Sequence, residues 1–279
     1  MISAPFLVTK ASGEQVPFQV EKLRESLLSA GATFSEVDTI IDTIERELTT
    51  GISTKKIYHR AFELLKKHSR ASAAKYKLKR AVFELGPSGY PFERFVGEIF
   101  KMKGYQVQVG ITLPGHCVTH EVDVLGRNGE EQFAFECKFG NTVGKKIDVK
   151  VALYVHSRFR DLERQWRKDP ENEGLHFKGG IITNATFSAD AIQYGICAGL
   201  TMVSWSFPKA GNLNHLVNQC RLYPITSLTY LTKSEKQHLI AKGIVLCREL
   251  AGREDLLLEL RIPEARIRRA LQELDDLCG

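Results

Sequence analysis

The chain is 279 residues long, 43% hydrophobic and 26% charged, with a formal net charge of +6. That length suits two domains, or one large and one small, and the composition excludes low-complexity, fibrous and disulfide-framework proteins. The positive balance favours an anionic partner without identifying one.

Met1-Ile2-Ser3-Ala4-Pro5-Phe6-Leu7 lacks the basic region and long apolar run of a signal peptide. Leu7-Val8-Thr9-Lys10 and Val16-Pro17-Phe18 read as two short strands around the turn Ala11-Ser12-Gly13-Glu14. Helical spacing follows over 20–30, 34–49, 54–68 and about 71–85, with Ser53 or Thr54 placed to cap the third helix. Between Lys55 and Arg80 stand ten Lys or Arg against one acid, Glu63. A solvated helix face is the common cause of such a run, and contact with phosphate is the sharper one. Gly86-Pro87-Ser88-Gly89-Tyr90-Pro91 reads as a linker.

Beyond it, 92–100 has helical spacing and Gly104 ends the helix, while Tyr105-Gln106-Val107-Gln108-Val109 alternates as a strand. His116, Cys117 and His120 have metal-like spacing but no evident fourth ligand, so a loop or strand end is expected there. The six cysteines stand singly, which predicts a reducing, cytoplasmic setting. In Phe133-Ala134-Phe135-Glu136-Cys137-Lys138-Phe139 the phenylalanines and Cys137 alternate onto one face, with Glu136 and Lys138 on the other. The turn-rich link 126–130 joins this strand to a shorter one ending in Asp123, and a hairpin would bring Asp123 beside Glu136 and Lys138. Two carboxylates at that range suit a divalent metal, and a neighbouring Lys suits water orientation or charge stabilisation. A helix over 147–165, a strand over 179–184, a helix over 188–198 and a strand over 200–205 complete an α/β core with a mixed sheet. Residues 191–208 carry no charge, yet Gln193, Tyr194, Trp205 and several Gly and Ser breaks predict a buried helix and strand, not a membrane span. The tail over 232–279 reads as helical, with a basic stripe at 261–269.

From Tyr90 to about Phe207 the chain resembles the Mrr-like branch of the PD-(D/E)xK restriction-endonuclease superfamily. The resemblance rests on Phe92-Glu93-x-Phe95-Val96, Gly104-Tyr105, Glu121-Val122-Asp123, Glu136-Cys137-Lys138 and the run 180–187. It implies that Asp123 and Glu136 ligate Mg²⁺ or Mn²⁺, that Lys138 positions the attacking water, and that Glu93 or Glu98 completes the metal shell. The usual Pro before the Asp is absent, and His120 and Glu121 stand where the family has a glycine-rich approach.

Residues 1–86 resemble the ATP-cone, a nucleotide-sensing module. The matching pieces are Val8-Thr9-Lys10-x-x-Gly13, Pro17-Phe18-x-x-Glu21-Lys22-Leu23, Ile52-Ser53-Thr54-x-x-Ile57 and Ala74-x-Tyr76-x-x-x-Arg80. The resemblance implies that Lys10 and Lys22 meet the phosphates of ATP or dATP, that Val8 packs on the base, and that Thr54 and Tyr58 line the pocket. Ala11-Ser12 replaces the usual Arg-Asp and removes one phosphate contact.

The organisation expected is a mostly helical cone (1–86), a central nuclease-like mixed sheet flanked by helices (90–208) and a helical C-terminal region (209–279), α/β in its core and α+β overall. The function expected is a metal-dependent DNA endonuclease tuned by nucleotide and acting as a homodimer or higher homo-oligomer, away from membranes. The alternative is a non-catalytic, nucleotide-sensing DNA-binding regulator built on an inactive nuclease fold.

Overall fold

The computed structural model describes residues 6–10, 12–142, 144 and 146–279. The N-terminal pentapeptide and Ala11, on which the leader and turn expectations partly rest, lie outside them. The chain opens with a hairpin, β1 (Leu7–Thr9) antiparallel to β2 (Gln15–Pro17). Then come α1 (Val20–Ser29), α2 (Phe34–Glu47) and α3 (Thr54–His68). Thr33 and Glu36 form a reciprocal capping box at α2, and Ser53 Oγ accepts the Lys56 N–H at α3, so amides without an intrahelical partner are satisfied. Leu27, Val37, Ile40, Ile44, Ala61 and Leu65 recur at helical spacing and meet in one apolar core.

The helix expected over 71–85 is instead two, α4 (Arg70–Tyr76) and α5 (Leu78–Phe83), joined at Lys77. Ala73 belongs to the N-terminal core, whereas Ala74, Leu78, Val82 and Leu85 enter a larger core shared with the remainder of the chain. The first ninety residues are thus packed onto the rest as well as linked to it.

The remainder runs α6 (Tyr90–Met102), β3 (Gln106–Pro114), β4 (Thr119–Arg127), β5 (Glu131–Lys138), β6 (Lys146–Ile147) and α7 (Val149–Trp166). It continues with β7 (His176–Thr183), β8 (Thr186–Phe187), α8 (Ala189–Cys197) and β9 (Thr201–Val203). Four helices close it, α9 (Leu213–Cys220), α10 (Lys233–Ala241), α11 (Asp255–Glu259) and α12 (Glu264–Cys278). The fold is mixed α+β. Its five-stranded sheet has the order β3-β4-β5-β7-β9, antiparallel from β3 to β5 and parallel from β5 to β9. Strand β5 lies in the middle and is buried along nearly its whole length, as a strand covered on both faces must be.

Phe92, Phe95, Ile99 and Phe100 of α6 cover one face against Phe133, Phe135 and Cys137. Ala152, Val155 and Phe159 of α7 cover the other against Ala134 and Ile181. Each fully buried Phe of α6 contributes about 1.5–3 kcal/mol. The C-terminal helices dock on α6 through Arg94, which donates to the Gly243 carbonyl and pairs with Glu249 at 3.0 Å. No helix among the described residues is long and apolar enough to cross a membrane.

One irregularity positions the site. Val107 and Val109 of β3 pack toward α6, whereas Ile111 and Leu113 pack toward α7. Their partners divide alike, Val124 with the α6 core and Val122 with the α7 core. Alternate residues of a regular strand share a face, so both strands change face between these pairs. Gly110 supplies the left-handed backbone, φ +65°, that the change requires on β3. Asp123 sits at the matching place on β4.

Candidate active site

The β4–β5 ladder proceeds from Arg127↔Gln132 to Val124↔Phe135 and stops there, although both strands continue. Past that point the strands part, and the Asp123 side chain fills the gap: its Oδ2 accepts the Cys137 N–H at 2.7 Å. Glu136, only 5% exposed, lies beside it on β5. Lys138 Nζ is 2.5 Å from Glu136 Oε1, and Arg158 Nη1 is 2.6 Å from Oε2. The Tyr154 hydroxyl donates to Oε1 at 3.1 Å, and Arg158 Nη2 also donates to the Glu121 carbonyl. The Thr183 hydroxyl of β7 donates to the Lys138 carbonyl at 2.5 Å. The Asn184 side chain clasps both the N–H and the carbonyl of Gly140, at 2.7 and 3.0 Å. The end of β5 is therefore held from both sides.

Electrostatics follow from this crowding. Burial, then the Glu136 charge, pushes the Asp123 carboxyl up to about 6. Glu93, on the first turn of α6, is pushed up to about 7 by burial and by the charges of Asp123, Glu121 and Glu136. Burial opposes the charge on Lys138, but its hydrogen bonds to Glu136 and Tyr154 outweigh it and hold the ammonium above its ordinary range. Asp123, Glu136 and Lys138 therefore come together, and Glu93 lies near enough to feel their charges.

Glu98 does not. It pairs with Lys101 at 2.6 Å and Arg248 at 2.8 Å. Five residues beyond Glu93, it points about 140° around the helix from it. The expectation of Glu98 as a metal ligand is corrected accordingly. No group of three His, Cys, Asp or Glu side chains arranged to hold a metal occurs among the described residues. His116, Cys117 and His120 lie at the β3–β4 connection and serve Asp161, whose carboxylate accepts the Cys117 N–H at 2.9 Å and lies 2.8 Å from His120 Nε2.

Tyr154 and Arg158 were not legible as site residues. They stand one turn apart on α7, flanking the face that buries Ala152, Val155 and Phe159. The available signal is that i, i+4 pair on the helix after the Glu136-Cys137-Lys138 strand. Along the same helix Arg158, Arg160 and Arg164 line a groove of about 550 Å³ that reaches Tyr154.

The five residues singled out in the N-terminal unit, Val8, Lys10, Lys22, Thr54 and Tyr58, all line one cavity of about 430 Å³. Tyr58 stacks on Tyr76 there, with ring centroids 4.9 Å apart. Burial pushes the Tyr58 hydroxyl up to about 12.

The raised carboxylates set a stability prediction. A carboxyl whose pKa rises on folding favours the native state while it is protonated. That contribution is complete near pH 4 and is lost as pH rises through about 6 for Asp123 and about 7 for Glu93. Asn at 123 keeps the acceptor for the Cys137 N–H and removes the charge. Asp123→Asn is expected to stabilise the protein by about 1–2 kcal/mol at pH 8 and by almost nothing at pH 4. Thermal melts at the two pH values check this, and a variant melting below wild type at pH 8 contradicts it.

Comparison with known proteins gives the following. The AF1548-like, C-terminal family profile matches residues 223–278. An uncharacterised protein of Archaeoglobus fulgidus is 28% identical over 185 residues, which are 66% of this chain and 100% of that protein. The crystal structure of AF1548 superposes with a TM-score of 0.54 at 28% identity, covering 69% of this chain and 99% of that one. The MspJI restriction endonuclease in complex with a 27-mer oligonucleotide matches at a TM-score of 0.33 and 13% identity, over 53% of this chain and 35% of that one. Can2 from Sulfobacillus thermosulfidooxidans in complex with cyclic tetra-adenylate matches at 0.32 and 12%, over 68% and 60%. The last two likenesses are too distant to bear on function.

Proposed function

We propose that the protein is a metal-dependent endonuclease that hydrolyses DNA phosphodiesters and binds ATP or dATP in its N-terminal cavity. The reading is carried by the meeting of Asp123, Glu136 and Lys138 where β4 leaves β5, with Glu93 alongside. The donor set suits a divalent cation. Asp123 and Glu93 are raised by burial and by neighbouring negative charge, a load that a cation relieves, and only one Asp123 oxygen is engaged by the Cys137 N–H. Among the described residues these side chains are not already set as a three-ligand cage; drawn together around Mg²⁺ or Mn²⁺, Asp123, Glu136 and Glu93 would hold an ion that would supply a Lewis acid and a bound water of lowered pKa.

The remaining chemistry belongs to the chain. Lys138 keeps its positive charge at neutral pH and would neutralise charge developing on the phosphate oxygens. Arg158 is committed to Glu136 and to the Glu121 carbonyl, so phosphate contacts along α7 fall to Arg160 and Arg164, which line the same groove. Cutting both strands of a duplex requires two such sites, so the working form proposed is a homodimer. The second reading, a non-catalytic DNA-binding regulator, is favoured by one observation: both oxygens of Glu136 are already engaged by Lys138, Arg158 and Tyr154.

Calorimetric titration with Mn²⁺ separates them. Saturable binding by wild type is expected, weakened about tenfold or more in Asp123→Asn, as removal of a charged ligand implies. No binding of Mn²⁺ or Mg²⁺ at millimolar concentration would leave the regulator as the better account.

A further inference from the structure

Next to the N-terminal cavity lies a second groove of about 420 Å³, formed between α1, α4 and α5 on one side and Trp205 and α9 on the other. Lys22, Lys75 and Lys79 line the first side, and Trp205, Asn214 and Asn218 the second. One carboxylate, Glu25, accompanies the three lysines. The two hollows are continuous, since Lys22, Ser26, Tyr58 and Tyr76 line both. A ligand with an apolar head against Val8 and Ile57 and an anionic tail passing Lys22 would therefore extend into the lysine groove.

We propose that this groove seats the polyphosphate of the adenine nucleotide held in the first cavity, so that one ligand bridges the N-terminal helices and the segment that follows the sheet, from Trp205 into α9. The proposal rests on the nucleotide reading above. Three lysines and two side-chain amides along one groove suit a tail of several negative charges, and a mononucleotide with a single phosphate would fall short of it. Nucleic acid is disfavoured because the groove shares no lining residue with the one that the arginines of α7 line.

The bridge has a consequence at the candidate active site. The Trp205 N–H donates to the Ala185 carbonyl at 3.4 Å, the Ala185 N–H to Thr183 Oγ1 at 3.0 Å, and the Thr183 hydroxyl to the Lys138 carbonyl. Displacing Trp205 therefore acts on the residues that fix the end of β5.

The chain has two tryptophans, so Trp166→Phe leaves Trp205 as the single reporter. In that full-length variant, ATP is expected to change Trp205 emission saturably, at the concentrations where calorimetry records binding. AMP is expected to bind at least tenfold more weakly and to leave the emission unchanged. In the wild-type background, Lys75→Ala combined with Lys79→Ala is expected to reduce ATP affinity at least tenfold, a test that stands if Trp166→Phe fails to fold. ATP binding with silent Trp205 and no effect of the double variant would overturn the bridge and leave the cavity reading intact. No heat with either nucleotide would overturn both. An equal Trp205 response to inorganic tripolyphosphate or to a short oligonucleotide would overturn the nucleotide as the occupant.

Discussion

Lys138→Ala is expected to lower DNA cleavage by about 10²-fold or more while leaving DNA affinity within a few-fold of wild type. The ammonium removed is the positive group nearest to Glu136 Oε1, and burial makes it worth more than an exposed charge. The fold should survive, since Arg158 and Tyr154 still hold the Glu136 carboxylate. Lys138→Arg is expected to rescue little, because a planar fork cannot replace a compact ammonium 2.5 Å from its partner. Cleavage time courses beside gel shifts and thermal melts check the prediction. A Lys138→Ala protein cutting at the wild-type rate would remove this lysine from the chemistry.

Gly180→Ala should be among the most destabilising single changes in the sheet. Gly180 lies on β7 opposite Thr201 of β9, under the ring of Phe135. A Cβ there would stand 2.3 Å from the Thr201 carbonyl oxygen and 2.7 Å from the Thr201 Cβ. Neither is the end of a flexible side chain, so β9 itself has to move. The expected loss is about 3 kcal/mol, a fall in Tm of about 6–12 °C. Activity should fall with it, because β7 carries Thr183, which holds the Lys138 carbonyl. Scanning calorimetry reads the effect, and a Tm within about 2 °C of wild type would show that the strands part at little cost.

What the sequence disclosed depended on how far apart the interacting residues stand. Alternation in 133–139 gave the two faces of β5 directly, since period two is local, and Phe133, Phe135 and Cys137 do pack toward α6. The pairing of Asp123 with Glu136 needed only one hairpin, although β4 extends through Arg127 and leaves a shorter turn than the link 126–130 suggested. The change of face at Gly110 and Asp123 breaks that same alternation, so pattern alone missed it. Tyr154 and Arg158 meet Glu136 because α7 crosses β5, a crossing that their i, i+4 spacing does not reveal by itself. Glu98 failed for the same reason in reverse, its partner Arg248 lying 150 positions away. Arg266, read as part of a basic stripe, pairs with Glu235. The cavity residues Val8, Lys22, Thr54 and Tyr58 come from three separate elements and Lys10 from the connection after β1, and the resemblance grouped them where spacing had no means to.

The most direct measurement is incubation of the wild-type protein with supercoiled plasmid in Mg²⁺ or Mn²⁺, beside an identical reaction with excess chelator. The arrangement of Asp123, Glu136, Lys138 and Glu93 predicts nicked and linear DNA with metal and none with chelator. Intact plasmid under every condition, from protein that still shifts DNA in a gel, would contradict hydrolysis at this site.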